Sequence, residues 1–338
     1  MKRLVLLSIL AIAWTLQARA LSIDAHEEAP LRHYYYLDDA AAMHSLETNR
    51  ERIDVLSPVW FSIVKGGALE PALDAHLLEW AAAHNLPLMP VLENRDFDSN
   101  VAHEFLTNPR VRDDVIVTLL KIAAVHHFYG IQLDFENLQP GDRDAYSNFT
   151  QTLGRGLHNL QMKLSVAVMS PLGPHQKTDG SWEVSAHSAA FDYFQLASEA
   201  DLISLMAYDQ HTEPDAPGPI ASAMWVDACI RKVLEYVPSR KLLLGVPLYY
   251  RQWSKGTVSE GPFLQAQAMA ANNHHKIEFD AVEAESNFRF DDDKGSHTIW
   301  LYDARALNLR IKLAAKYHLR GISAWRLGQE DPLFWGGQ

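Results

Sequence analysis

Eight short apolar runs of strand character alternate with helix-like stretches, and this alternation constrains the fold more than any other feature of the chain. The runs are HYYYL (33–37), IDVLSPVWF (53–61), LPLMPVLE (86–93), YGIQLDF (129–135), KLSVAVM (163–169), DLISLMAY (201–208), KLLLGVPLYY (241–250) and GISAWRL (321–327). Between them lie helical patterns such as PALDAHLLEWAAAHN, PRVRDDVIVTLLKIAAVHHF and DARALNLRIKLAAKYH. Strands alternating with helices point to a parallel sheet, and eight such units close most economically as a (β/α)8 barrel. An open doubly wound sheet is the alternative, but the Gly-rich phosphate loop expected after its first strand is missing. One interval breaks the rhythm. About fifty residues between Tyr250 and the helix near Asp303, rich in acids (FRFDDDKGSHT), read as a short insertion over about 251–300, after strand seven.

The chain opens with Lys2 and Arg3, then LVLLSILAIAW, then small residues at Ala18 and Ala20. That order reads as a signal peptide over residues 1–20, cut after Ala20, with an uncleaved anchor as the alternative. Residues 21–338 are then expected to form one barrel, secreted or periplasmic, away from the membrane once cleaved, and monomeric. The net charge is −12 over the whole chain, and becomes about −15 without the three basic residues of the leader. Such an acidic surface repels phosphate and anionic lipid, which excludes nucleic acid and membrane as partners. A single cysteine, Cys229, excludes an internal disulfide. The pairs His126-His127 and His274-His275 suit no shared metal on one helix or strand face, so no metal is expected.

The stretch GIQLDFENLQ (130–139) carries two carboxylates in an apolar run. Side chains alternate along a strand, so Gln132, Asp134 and Glu136 share one face while Ile131, Leu133 and Phe135 share the other. Unpartnered burial of these acids would cost about 1–3 kcal/mol per group, so a wet cavity is needed. In a parallel barrel the C-terminal strand ends form that cavity, and the distinctive residues fall there. Strand two ends in Trp60, strand three in Glu93-Asn94, strand six in MAYDQH (206–211), strand seven in Tyr249, and strand eight carries Trp325. Each alone has a plain reading, a cap for the acid and core packing for Tyr208 or Trp325. Together, carboxylates and aromatic faces with few cations suit a carbohydrate.

At these residues the chain resembles glycoside hydrolase family 18, the chitinase-like barrels. YGIQLDFE (129–136) aligns with the family motif DGxDxDxE, so that Asp134 matches its last aspartate and Glu136 its catalytic glutamate. MAYD matches the sixth-strand MxYD with Met206, Tyr208 and Asp209, and Trp325 matches the tryptophan that floors the sugar site. The phrases YDQHTEPDAPGPIAS and AWRLGQEDP are similar to a bacterial subgroup that includes spore-cortex lytic enzymes and glycosyltransferase-linked modules. Two positions depart from the motif: Tyr129 replaces its first aspartate and Gln132 its middle one.

The resemblance implies a retaining, substrate-assisted glycosidase acting on β-linked N-acetylglucosamine glycans without a cofactor. Glu136 would be general acid and base, Asp134 would hold the substrate acetamido N–H, and Tyr208 would position the acetamido oxygen. Trp325, Asp209, Met206, Gln132, Trp60, Asn94 and Tyr249 would line the sugar site; Gln132, as an amide, can donate a hydrogen bond to Asp134 but cannot hold a charge. Chitin, peptidoglycan strands, poly-N-acetylglucosamine and N-glycan cores all fit as substrates. The alternative from another class is a non-catalytic, chitinase-like sugar-binding lectin on the same barrel.

Overall fold

The computed structural model describes residues 29–213, 215–293 and 295–336. The signal-peptide reading of residues 1–20 lies outside them. Eight parallel strands follow one another in chain order: β1 (Leu31–Tyr36), β2 (Val55–Ile63), β3 (Val91–Asn94), β4 (Gly130–Asp134), β5 (Lys163–Met169), β6 (Leu202–Met206), β7 (Leu242–Pro247) and β8 (Gly321–Trp325). Each pairs with its chain neighbour, and β1 pairs in parallel with both β2 and β8. The sheet therefore closes into a (β/α)8 barrel, as the alternation of the sequence implies.

Outward-facing apolar residues of the strands pack beneath the ring of helices. Ile131 and Leu133 of β4 are fully buried there, in one core with Leu153 and Leu157 of the helix Arg143–Asn159. The helix starts are set locally. Asp39 accepts from the Ala42 N–H at 2.8 Å, and Asp303 from the Ala306 N–H at 2.8 Å. Both satisfy donors that a first helical turn leaves free. Inside the barrel the packing is partly polar. The buried His33 ring bridges Ser323 (2.8 Å) and Ser57 (2.6 Å), which stitches β8, β1 and β2 together at the centre.

The stretch after β7 is a folded lobe. Strands Tyr249–Ser254, Thr257–Pro262, Glu278–Asp280, Glu285–Asp292 and Gly295–Leu301 form a five-stranded antiparallel sheet backed by the helix Phe263–Asn272. One face of this sheet has its own core of Tyr250, Phe263, Phe288, Ile299 and Leu301. The other face sends Tyr249, Trp253 and Trp300 into the core of the barrel. Alternation along Tyr249–Ser254 places Arg251 on that barrel side as well. The buried Glu285 anchors the lobe by accepting from the backbone N–H groups of Ile220 (2.8 Å) and Ala221 (2.6 Å). Cys229 is buried and unpaired, its thiol 3.0 Å from Ser170 Oγ.

Candidate active site

The site is built on the end of β4. Gln132 and Asp134 point into the barrel, opposite the outward Ile131 and Leu133, and the chain leaves the strand before Glu136. Asn94, fully buried at the end of β3, holds that exit. Its Oδ1 accepts from the Glu136 N–H at 2.9 Å, and its Nδ2 donates to the Glu136 carbonyl at 3.1 Å and to the Asp98 carbonyl at 3.1 Å. The Glu136 backbone is thus fixed while its half-buried side chain is left to the cleft. Asp134 is 3% exposed, and its Oδ1 has no hydrogen-bond partner. On the neighbouring strand Glu93 sits in register with Asp134, and Ser62 Oγ donates to Glu93 Oε1 at 3.1 Å.

The opposite flank comes from β6 and the lobe. Met206 ends β6, and Tyr208 lies beside Gly245 of β7. A Cβ at Gly245 would stand 2.3 Å from the Leu205 carbonyl and 2.9 Å from the Tyr208 ring, so only glycine leaves this ring its place. Asp209 has a positive φ of 61°, which turns its carboxylate toward the lobe. There the Tyr249 hydroxyl donates to it and Arg251 Nη2 lies at 2.8 Å. Arg251 also pairs with Glu260 at 3.1 Å and donates to the His211 carbonyl at 3.1 Å. Trp325 closes the ring at the end of β8, partly exposed, with Tyr35 edge-on at 5.2 Å. A recess of about 270 Å³ continues from Met206, Tyr208 and Asp209 toward Ser170, Gly173 and His187.

Electrostatics divide the acids. Burial, reinforced by the charge of Glu93, pushes Asp134 up to about 7. Burial also raises Glu136 well above the usual carboxylate range, with further repulsion from Asp134, Asp209 and Glu93. Burial raises Glu93 too. Among the described residues no cation pairs with Asp134 or Glu136. Two adjacent acids in a poorly solvated cleft thus hold protons near neutrality, which is what a general acid needs. No group of three or more metal-ligating side chains converges among the described residues.

The structure brings together Glu136, Asp134, Tyr208, Asp209, Met206 and Trp325, and reassigns four sequence expectations. Trp60 is 4% exposed and packs on Phe128 with ring centroids 6.1 Å apart, so it belongs to the outer core and not to the cleft. The register irregularity between Val59 and Phe61 breaks the simple count of alternating faces along β2. Asn94 is a backbone clamp, as its bonds show. Gln132 is fully buried, and its amide donates to the Leu133 carbonyl at 3.0 Å and not to Asp134. Tyr249 begins the first strand of the lobe and not the end of β7, and its buried hydroxyl serves Asp209. Two residues gain a place that the sequence pattern did not give them, Tyr35 and Arg251, while Glu93, expected at the end of strand three, proves to be the register partner of Asp134. The Tyr35 hydroxyl is buried without a partner, and burial together with Asp134, Tyr208 and Glu136 raises its proton affinity. Parity offered a signal for Tyr35, two residues beyond the inward His33. Arg251 had none, because its role depends on how the lobe docks.

Known proteins share this fold. A chitinase from Chromobacterium violaceum superposes with a TM-score of 0.81 at 27% identity, covering 91% of this chain and 97% of its own. The spore cortex-lytic enzyme SleL of Bacillus megaterium superposes with a TM-score of 0.79 at 25% identity, covering 90% of this chain and 72% of its own. In sequence, the uncharacterized glycosylase YvbX of Bacillus subtilis is 26% identical over 312 residues, spanning 89% of this chain and 88% of that protein. The cortical fragment-lytic enzyme of the same organism is 27% identical over 292 residues, spanning 81% of this chain and 64% of that protein. The model of the glycosyl hydrolases family 18 matches residues 83–330, a span that contains Glu93, Asp134, Glu136, Tyr208, Arg251 and Trp325. The chain is therefore a glycosidase and belongs to family 18 of the glycosyl hydrolases.

Proposed function

We propose that the protein is a retaining, substrate-assisted hydrolase of β-linked N-acetylglucosamine glycans, with Glu136 as general acid and base. The observation that carries this reading is the half-buried Glu136 carboxyl beside the buried Asp134. Asn94 fixes the backbone of Glu136, and burial and like charge raise the proton affinity of its carboxyl. With an N-acetylglucosamine unit over Trp325, Glu136 gives its proton to the glycosidic oxygen as the C1–O bond breaks. The substrate acetamido oxygen attacks C1 from the opposite face and forms an oxazolinium ion. Asp134, releasing its proton to water in the cleft, accepts the acetamido N–H and faces the developing positive charge, while the Tyr208 hydroxyl orients the acetamido group. Glu136, now a carboxylate, takes a proton from the water that attacks C1 as the C1–O bond to the acetamido oxygen breaks, which restores the acid and the acetamido group and retains configuration.

The substrate class rests on the aromatic floor, the cation-poor acids and the family. The cortex-lytic relatives favour the glycan strands of bacterial wall over plain chitin. Secretion rests on the sequence of residues 1–20 alone. The test is product analysis after incubation with chitin oligomers, de-N-acetylated chitin and peptidoglycan, beside Glu136→Gln. N-acetylated polymers should be cleaved and de-N-acetylated ones should not, because the nucleophile is missing. Glu136→Gln should lose about 10²–10⁴-fold in kcat with oligomer binding nearly kept. Turnover by Glu136→Gln at the wild-type rate would remove the acid from its role. Binding without cleavage by the wild type would return the lectin reading.

A further inference from the structure

We propose that Glu93 is a positioning residue of the catalytic pair: facing Asp134 across the seam of β3 and β4, its carboxylate holds the proton on Asp134, and through it on Glu136, in the free enzyme. This rests on the reading of Glu136 and Asp134 given above. The geometry comes from the sheet. Glu93 and Asp134 are register partners on parallel neighbouring strands, whose backbones lie about 4.8 Å apart with paired side chains on one face. Ser62 Oγ occupies Glu93 Oε1, which fixes the carboxylate on the barrel side of β3. The Asp134 Oδ1 is buried and unpartnered, an arrangement that suits a protonated oxygen better than a bare anion.

Order of ionisation decides which acid acts on which. Glu93 is the less buried of the two, receives the Ser62 hydrogen bond and lies near Arg95, so it ionises first. Its charge then opposes loss of the proton from Asp134, and it also acts on Glu136. The other groups facing Asp134 are Glu136 and the phenols of Tyr35, Tyr146 and Tyr208. Those around Glu93 are Arg95, which is paired with Glu70 at 2.6 Å, and Asp96. Asp209 acts on Glu136 but is compensated by Arg251. On β4 itself position 132 is an amide turned to the Leu133 carbonyl, unable to carry charge. The third carboxylate of the cluster is therefore supplied by the neighbouring strand.

The test compares pH–rate profiles of the wild type, Glu93→Gln and Glu93→Asp on a chromogenic N-acetylglucosamine oligomer, with Glu136→Gln as reference. Glu93→Gln keeps the size and the Ser62 acceptor but removes the charge. Its basic limb should move to lower pH, so that the ratio of wild-type to variant rate rises with pH, reaching about tenfold if the limb moves by one pH unit. Glu93→Asp keeps the charge and should bring the limb back toward that of the wild type. A ratio constant across pH, or superimposable profiles, would overturn the proposal. Infrared titration of the protonated carboxyl band, without substrate, makes the same comparison independently of turnover. The band of Glu93→Gln should vanish at lower pH than that of the wild type, and coincident titrations overturn the inference. That readout decides the role of Glu93 even if Glu136→Gln proved active, a result that would sink only the assignment of the acid.

Discussion

The two flanks of the cleft surround their carboxylates in opposite ways. On the β3–β4 flank, Glu93, Asp134 and Glu136 converge with no cation paired to Asp134 or Glu136 among the described residues, and burial drives these two toward their protonated forms. On the β6–lobe flank, Asp209 is met by Arg251 at 2.8 Å and by the Tyr249 hydroxyl. The same residue type stands among other acids in one environment and against a guanidinium and a phenol in the other. Like charge and desolvation raise proton affinity on the first flank, whereas the guanidinium and the phenol of the second hold a carboxylate in one position. The first flank suits chemistry that moves a proton, and the second suits a rigid wall.

Changing one flank at a time tests the contrast. The largest effect is expected at Asp134. Its folded pKa of about 7 lies above the 3.8 of a free aspartate side chain. The folded state therefore keeps a proton that the unfolded state has lost between these pH values, and stability falls as pH rises across that window. The slope from this group is at most about 1.4 kcal/mol per pH unit. Asp134→Asn removes the slope. The variant should match the wild type in thermal stability near pH 4, exceed it at pH 8, and lose most of its activity. Calorimetric melts at both pH values check this, and a stability difference independent of pH would place the buried acid outside the proton store.

Arg251→Met breaks the opposite flank. Arg251 is buried but its two carboxylate partners are half-exposed, which discounts the penalty for leaving them unpaired. A stability loss of about 1–3 kcal/mol is expected from the lost charged hydrogen bonds, together with a rise in KM as Asp209 loosens. Denaturant titration and steady-state kinetics report both, and an unchanged midpoint would show that the lobe docks without this pair. The smallest effect should come from Tyr249→Phe, about 0.5–1.5 kcal/mol for one hydrogen bond. The basic limb of the rate profile should stay in place, because the ring remains and Arg251 still compensates Asp209. A shifted limb would mean that the two flanks titrate as one cluster.

Much of this molecule was legible in one dimension, and the misplacements have a common cause. The eight strand runs were visible because the β-branched and aromatic residues that favour a pleated sheet are concentrated in them. Asp134 and Glu136 were visible because alternation along β4 leaves two acids on the face opposite Ile131 and Leu133. Trp60 and Tyr249 were misplaced for want of strand geometry: an irregularity at Val59–Phe61, and a break between Pro247 and Tyr249 where the chain leaves the barrel for the lobe. Asn94 was correctly set at the rim, but a rim amide can face a sugar or a backbone with the same residue type. The bonds to Glu136, 42 residues away, decided between them.

Sequence alone determined the eight strands of the barrel and the face that the acid pair shares, because periodicity is a local property of a chain. Tertiary structure alone decided that Glu93 faces Asp134, that Arg251 from the lobe compensates Asp209, and that Gln132 turns away from the acids. These relations depend on register between strands and on how the lobe seats against the barrel. The strength of a charge in a protein is set by distance and solvent, and neither is written in the order of residues.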